Sequence, residues 1–163
     1  MNVSIKNIDE TAFRKLKATA AEQGKSMGAA LTEAIFAWVN KSSEILNGID
    51  NVVKKARLDS EIIAIILFGS YARQEKDFRD VDIALLLKEP IKAGIKKASE
   101  YWVSDIFDVS ILNSLPLNVA SRVLEEGKVL YVSDMESLQK FSNKIARDWS
   151  DFKPLYMEQI ALD

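Results

Sequence analysis

The stretch LFGSYARQEKDFRDVDIALLL, residues 67–87, constrains the fold more than any other part of the chain. A nearly continuous apolar run, EIIAIILF, ends at Gly69-Ser70, and a second, VDIALLL, opens behind Asp80 and Asp82. Runs of this length and composition read as strands buried on both faces. In the second run the period of two sends Asp80 and Asp82 to one face, while Val81 and Ile83 point to the other. Two carboxylates so close on one pleat face repel each other, and a divalent cation between them removes the conflict. The bland alternative is that Asp80 ends a charged turn, DFRD, and Asp82 is satisfied by Arg73 or Arg79. Gly69 lets the backbone approach a ligand closely, and the Ser70 hydroxyl and the amides that follow, at the start of a short helix, suit phosphate oxygens.

Composition narrows the chemistry further. The 163 residues include no His and no Cys, which excludes disulfides, thiol nucleophiles, imidazole bases, Ser-His-Asp triads and zinc sites of the usual ligands. Carboxylates, hydroxyls, Lys and Arg remain, and the metal such a set favours is a hard, oxygen-bound ion such as Mg²⁺. Apolar residues make up 48% and charged residues 28%, the balance of a globular chain able to bury a real core. A net charge of −2 means that any nucleic-acid contact must come from a local patch. No early segment has the order of a signal peptide and no apolar run approaches ~20 residues, so a cytoplasmic protein without membrane contact is expected.

Residues 1–41 read as a separate small domain. Val3 and Ile5 alternate with Ser4 and Lys6 at the period of a short strand. Asp9 is placed to cap a helix entered at Glu10, Gly24 to stop it, and Ser26 to cap a second helix with the apolar stripe Ala30, Leu31, Ala34, Ile35, Trp38 and Val39. About forty residues cannot bury that much apolar surface alone, so a partner is required. This order of elements resembles the ribbon-helix-helix family of DNA-binding domains, whose strands pair between two chains and enter the major groove. The resemblance implies a homodimer on operator DNA, with Asn2, Ser4 and Lys6 facing the groove and the backbone at Ser26 and Met27 approaching phosphate. A helical hairpin used only for packing or dimerisation is the alternative, since six cationic residues against five acidic ones in residues 1–45 make a weak electrostatic footprint.

Residues 42–60 are expected to be a helical connector, interrupted at Asn47-Gly48, with Lys54, Lys55 and Arg57 on its solvated face. Residues 61–163 form the main domain. In SDIFDVSILNSLP, Asp108 shares a strand face with Ile106 and Ser110 opposite Phe107, Val109 and Ile111, and Asp105 falls where a cap or turn acid belongs. A helix, VASRVLEEG, and a strand, KVLYV, follow. Lys92, Lys96 and Lys97 are expected on the solvated face of a helix over residues 90–101, and Pro154 is expected to end the C-terminal helix that carries Leu138, Phe141, Ile145, Trp149 and Phe152.

The pairing of GSYAR with DVD, each set against an apolar strand, resembles the nucleotidyltransferase superfamily that includes DNA polymerase beta, and in its compactness the minimal nucleotidyltransferase (MNT) family. The likeness covers roughly residues 50–132. It implies an α+β fold, a mixed sheet flanked by helices, with Asp80, Asp82 and Asp108 as catalytic and metal-binding acids, Mg²⁺ or Mn²⁺ as cofactor and ATP as substrate. Gly69, Ser70 and Arg73 would bind the nucleotide phosphates. The family's small members are often paired with a HEPN-domain toxin, and some transfer AMP onto a tyrosine of that partner, so the resemblance implies an adenylyltransferase antitoxin that also represses through its N-terminal domain. Nucleotidyl transfer to a small-molecule hydroxyl and a non-catalytic DNA- or toxin-binding protein are the alternatives. Two positions depart from the family: Gln74 stands where a second Gly is common, and Arg79 where a Ser is.

Overall fold

The structure is a computed structural model that describes residues 4–75, 77–91 and 94–160. The chain divides into two units, residues 1–46 and residues 47–163. In the first, helix α1 (Glu10–Glu22) is capped by Asp9, whose Oδ1 accepts from the Ala12 amide at 2.9 Å. The chain turns at Gly24, with φ 65°, and the Ser26 hydroxyl accepts from the Ala29 amide at 3.2 Å as helix α2 (Met27–Leu58) begins. The sequence reading of the caps therefore holds. The expected strand differs, because residues 4–9 are irregular, while Asn2 and Val3 lie outside the described residues. A strand exists only as part of a ladder, and among the described residues of this unit no neighbouring strand offers its backbone groups.

Helix α2 also departs from expectation, since it runs through Asn47-Gly48 without a break. A glycine in a helix interior costs about 1 kcal/mol relative to alanine. Here its missing side chain is used: a Cβ at Gly48 would collide with the ring of Phe107, so the glycine lets that ring lie against the helix.

The second unit is built on a sheet of β1 (Ile62–Phe68), β2 (Val81–Leu87), β3 (Phe107–Ile111) and β4 (Lys128–Val132), in the order β3-β2-β1-β4. β1 is antiparallel to both β2 and β4, so the link from β1 to β2 needs only the short helix α3 (Gly69–Ala72) and a loop. β2 and β3 are parallel, which demands a crossover, and helix α4 (Gly94–Glu100) provides it. Helices α5 (Leu117–Glu126) and α6 (Met135–Ile160) complete the unit. Ile63, Ile66, Ala84 and Leu86 pack with Leu112, Ala120, Val123 and Leu138, while Ile62, Ile65, Ile83 and Leu85 are fully enclosed at 0% exposure. A sheet buried on both faces is what the continuous apolar runs require. Each fully enclosed Ile or Leu contributes about 1.5–3 kcal/mol relative to exposure.

Two further expectations are corrected. Pro154 does not end α6 but lies inside it. The lost backbone hydrogen bond costs about 3 kcal/mol, and a cluster spans the same turns to oppose it: Trp149 lies 5.6 Å from Tyr156 and 6.2 Å from Phe152, ring to ring. Lys97 is not on a solvated face. Its ammonium sits 3.0 Å from Asp59 and 2.5 Å from Glu61, with its side chain only 16% exposed. Asp59 also accepts from the Tyr101 hydroxyl at 3.1 Å and the Glu61 amide at 3.0 Å. Lys55, also expected to be solvated, donates to the Glu100 carbonyl and lies 4.9 Å from the Tyr101 ring centre. This polar node joins α2, α4 and the entry to β1. Lys92 lies outside the described residues.

Candidate active site

Strand register sets Asp82 beside Asp108, and Asp80 stands two residues before Asp82 at the entry to β2. Phe68 pairs with Asp82 across β1 and β2, and Asp82 pairs with Asp108 across β2 and β3. Neighbouring strands stand about 4.8 Å apart. Asp82 is therefore the centre of a row, with Phe68 and the Gly69-Ser70 turn that follows it on one side and Asp108 on the other. Asp82 is also the one residue of β2 that is not buried. Partial burial, then the charges of Asp80 and Asp108, push its carboxyl above the ordinary range, and Arg73 acts weakly in the opposite direction. The three acids thus share one electrostatic neighbourhood. Asp105, the sequence's competitor to Asp108, sits in a turn before β3 as expected.

The turn that faces Asp82 has its own constraint. Gly69 adopts φ 72°, a left-handed conformation that disfavours side chains, and a Cβ there would collide with Asp82 Oδ2. A side chain at this position would have to displace the carboxylate. Ser70 follows in the first turn of α3, where backbone amides lack helical acceptors.

Arg73 does not satisfy Asp82 as the bland reading of the sequence would have it. Its Nε donates to Glu75 at 2.7 Å and its Nη1 to Glu126 at 3.1 Å. Gln74 adopts φ 61°, so the backbone shape that a glycine would favour is kept by a residue with a side chain. The Gln74 amide donates to the Tyr71 carbonyl at 3.0 Å, and the rings of Tyr71 and Phe78 meet edge to face at 4.9 Å. The loop is therefore anchored at both ends by its own residues. Arg79 is exposed.

Among the described residues no three acidic side chains already stand close enough to enclose a metal ion. The donor set nevertheless fits a hard divalent cation: Asp80, Asp82 and Asp108 would offer only carboxylate oxygens, the charges of Asp80 and Asp108 bear on Asp82, and Gly69 leaves the space beside Asp82 free of a side chain. Beside Asp80 and Asp108 lies a cleft of about 400 Å³, lined also by Ala98, Ser99, Trp102, Asp105, Phe107 and Val109. Trp102 and Ser99 carried no signal in the sequence, because neither belongs to an alternating or helical pattern that points to the acids. Of the four residues singled out for DNA, Ser4, Lys6 and Ser26 belong to the first unit and are exposed, and Asn2 lies outside the described residues.

No helix among the described residues is long and apolar enough to cross a membrane. A candidate protein adenylyltransferase of Methanocaldococcus jannaschii is 26% identical over 99 residues, 58% of this chain and 75% of that protein. A chain of a mutant MntA–HepT toxin–antitoxin complex shares the fold, with a TM-score of 0.51 at 24% identity over 71% of this chain and 92% of its own. A chain from the complex of a tri-AMPylated Shewanella oneidensis HEPN toxin with an MNT antitoxin gives a TM-score of 0.49 at 23% identity, covering 73% of this chain and 94% of that one. The model of the family described as "Polymerase beta, Nucleotidyltransferase" matches residues 49–136, a span that holds Gly69, Ser70 and all three acids. The chain belongs to the polymerase beta nucleotidyltransferase family.

Proposed function

We propose that this chain is a divalent-cation-dependent adenylyltransferase that moves AMP from ATP onto a hydroxyl of a HEPN-type toxin, and so acts as the antitoxin of that pair. The observation that carries the chemistry is the row across the sheet, with Asp82 between the Gly69-Ser70 turn and Asp108. Asp80, Asp82 and Asp108 would hold Mg²⁺ or Mn²⁺, which when bound offsets the charge of the triphosphate and lowers the pKa of the acceptor hydroxyl. Gly69 and Ser70 accept the terminal phosphates, and Arg73 turns from Glu75 and Glu126 to pair with them. In the transfer the acceptor oxygen bonds to the α-phosphorus, the bond from that phosphorus to the bridging oxygen breaks, and pyrophosphate leaves. The hydroxyl proton passes to Asp108.

Support for a protein acceptor comes from the archaeal relative, and support for a toxin partner from the MNT resemblance together with the fold shared with a toxin–antitoxin chain. The N-terminal unit is read as the dimerising, operator-binding part, with Ser4, Lys6, Ser26 and Asn2 toward DNA. Its capped helices and exposed apolar residues support that reading.

The test is incubation with α-labelled ATP, Mg²⁺ and the product of the adjacent reading frame, beside a variant carrying Asp80→Ala and Asp82→Ala. Label on the partner only with the acids intact is the expected result. Tight partner binding with no label in either case would replace catalysis with a binding role. For the first unit, operator binding unchanged by Lys6→Ala and by deletion of residues 1–8 would remove the groove-reading segment.

A further inference from the structure

The cleft beside Asp108 extends beyond the three acids, and its lining is specific in kind. Trp102 presents an indole that is 57% exposed just past the end of α4, and Ala98, Ser99, Phe107 and Val109 complete the lining with the acids. An indole left this open on a concave surface has one face available for stacking or for a cation. Asp105 adds a third carboxylate to Asp80 and Asp108, and among the described lining residues there is neither Lys nor Arg. Where Asp80 and Asp108 would hold the cation, Asp105 still leaves this wall acidic, which suits a basic ligand better than phosphate. The Gly69-Ser70 turn, given to the phosphates in the proposed function, follows directly on β1 on the other side of Asp82 and leads into Arg73. In an in-line displacement the acceptor oxygen attacks the α-phosphorus opposite the departing pyrophosphate, and β2 stands between the turn at the end of β1 and Asp108 on β3.

We propose that this cleft is the acceptor site, that it takes a hydroxyl-bearing side chain from a basic stretch of polypeptide, and that Trp102 is its specificity-determining residue. The proposal rests on the nucleotidyl-transfer reading of the adjoining acids. The acceptor hydroxyl reaches Asp108 from the cleft, the indole holds the aliphatic, aromatic or cationic neighbour of that side chain, and Asp105 faces the positive flank. A volume of about 400 Å³ admits one or two side chains, at the small end of the roughly 300–1,000 Å³ of ligand pockets, so the rest of a protein acceptor stays outside the cleft.

The test uses the full chain and two fluorescent peptides, each with one tyrosine, flanked by arginines in the first and by glutamates in the second. Peptide affinity is read by anisotropy and ATP affinity by calorimetry with Mg²⁺ present. The arginine peptide should bind about ten-fold more tightly than the glutamate peptide, Trp102→Ala should remove most of that binding, and Trp102→Phe should restore a large part of it. ATP affinity should change by less than about two-fold in both variants. Loss of ATP affinity in Trp102→Ala would overturn the proposal by making the cleft the nucleobase site. Equal binding of both peptides, or binding that ignores Trp102, would overturn it as well. AMP transfer to the same peptides is scored separately: Trp102-dependent binding without transfer by the unaltered protein supports the cleft and overturns the transfer reading.

Discussion

The two units of this chain solve the same problem of apolar surface in opposite ways. Residues 47–163 enclose most of theirs around β1 and β2, so that Ile62, Ile65, Ile83 and Leu85 see no solvent, while Leu58, Ile95 and Trp102 stay exposed. Residues 1–46 bury Ala20, Ala30 and Ile45, and leave Ile35, Phe36, Trp38 and Val39 between 43% and 71% exposed. The lesson is that an amphipathic pattern indicates a face to be covered without saying by what. In the catalytic unit the cover is the chain itself. In the first unit an exposed apolar face of this kind is what a docking surface offers, and the proposed dimer would cover it.

Core truncation separates the units most strongly. Ile83→Ala should destabilise the catalytic unit by about 3 kcal/mol in denaturant unfolding, because it leaves a cavity in a closed core. Trp38→Ala should change unfolding of the isolated chain by less than about 0.5 kcal/mol while weakening self-association in sedimentation. If Trp38→Ala unfolded the first unit in dilute, monomeric protein, the contrast between the units would fail.

Gly69→Ala sharpens the claim that the catalytic unit is built around Asp82. The left-handed φ alone costs about 1–2 kcal/mol, and the collision with Asp82 Oδ2 adds to it. Unfolding should therefore show a loss of about 2 kcal/mol, and nucleotide binding should fall with it. A fully stable, fully active Gly69→Ala protein would mean that the turn does not face the carboxylate.

The Asp59 node tests how polar contacts fasten α2 within the catalytic unit. Burial works to raise the Asp59 carboxyl, but the Glu61 amide, Lys97 and Tyr101 outweigh it and hold the group below its ordinary value of 3.8. A depressed carboxylate contributes stability that is present above that ordinary value and is lost as pH falls through the folded one. Asp59→Asn should thus cost about 1 kcal/mol at pH 7, and the gap from the unaltered protein should close as pH drops below about 4. A gap that stayed constant with pH would assign the effect to packing.

Smallest is Gln74→Gly. Relieving φ 61° at a residue with a side chain should stabilise the loop, with thermal unfolding shifted upward by the equivalent of about 1 kcal/mol or less. A decrease would show that the Gln74 side chain contributes more than its backbone strain costs.

How much the sequence revealed follows the same division. The β1 and β2 runs, the glycine turn and the common face of Asp80 and Asp82 were legible, because local periodicity decides them. The partnership of Asp108 with Asp82 came from resemblance, since parallel register depends on a crossover that no local pattern encodes. Gly48 and Pro154 read as breakers by propensity, and tertiary packing on Phe107 and around Trp149 overrode them. Lys97 read as solvated because its partner Asp59 lies 38 positions away. Trp102 was invisible as a cleft residue for the same reason: its neighbours are assembled by the crossover helix.

The central claim is that the carboxylate row and the glycine turn together hold a cation and a nucleotide triphosphate. Its most direct test is the anomalous difference map of crystals soaked with Mn²⁺ and a non-hydrolysable ATP analogue. The account predicts manganese density among Asp80, Asp82 and Asp108, with the terminal phosphates on Gly69 and Ser70. Manganese bound elsewhere, or phosphates seated in the Trp102 cleft with the turn empty, would contradict it.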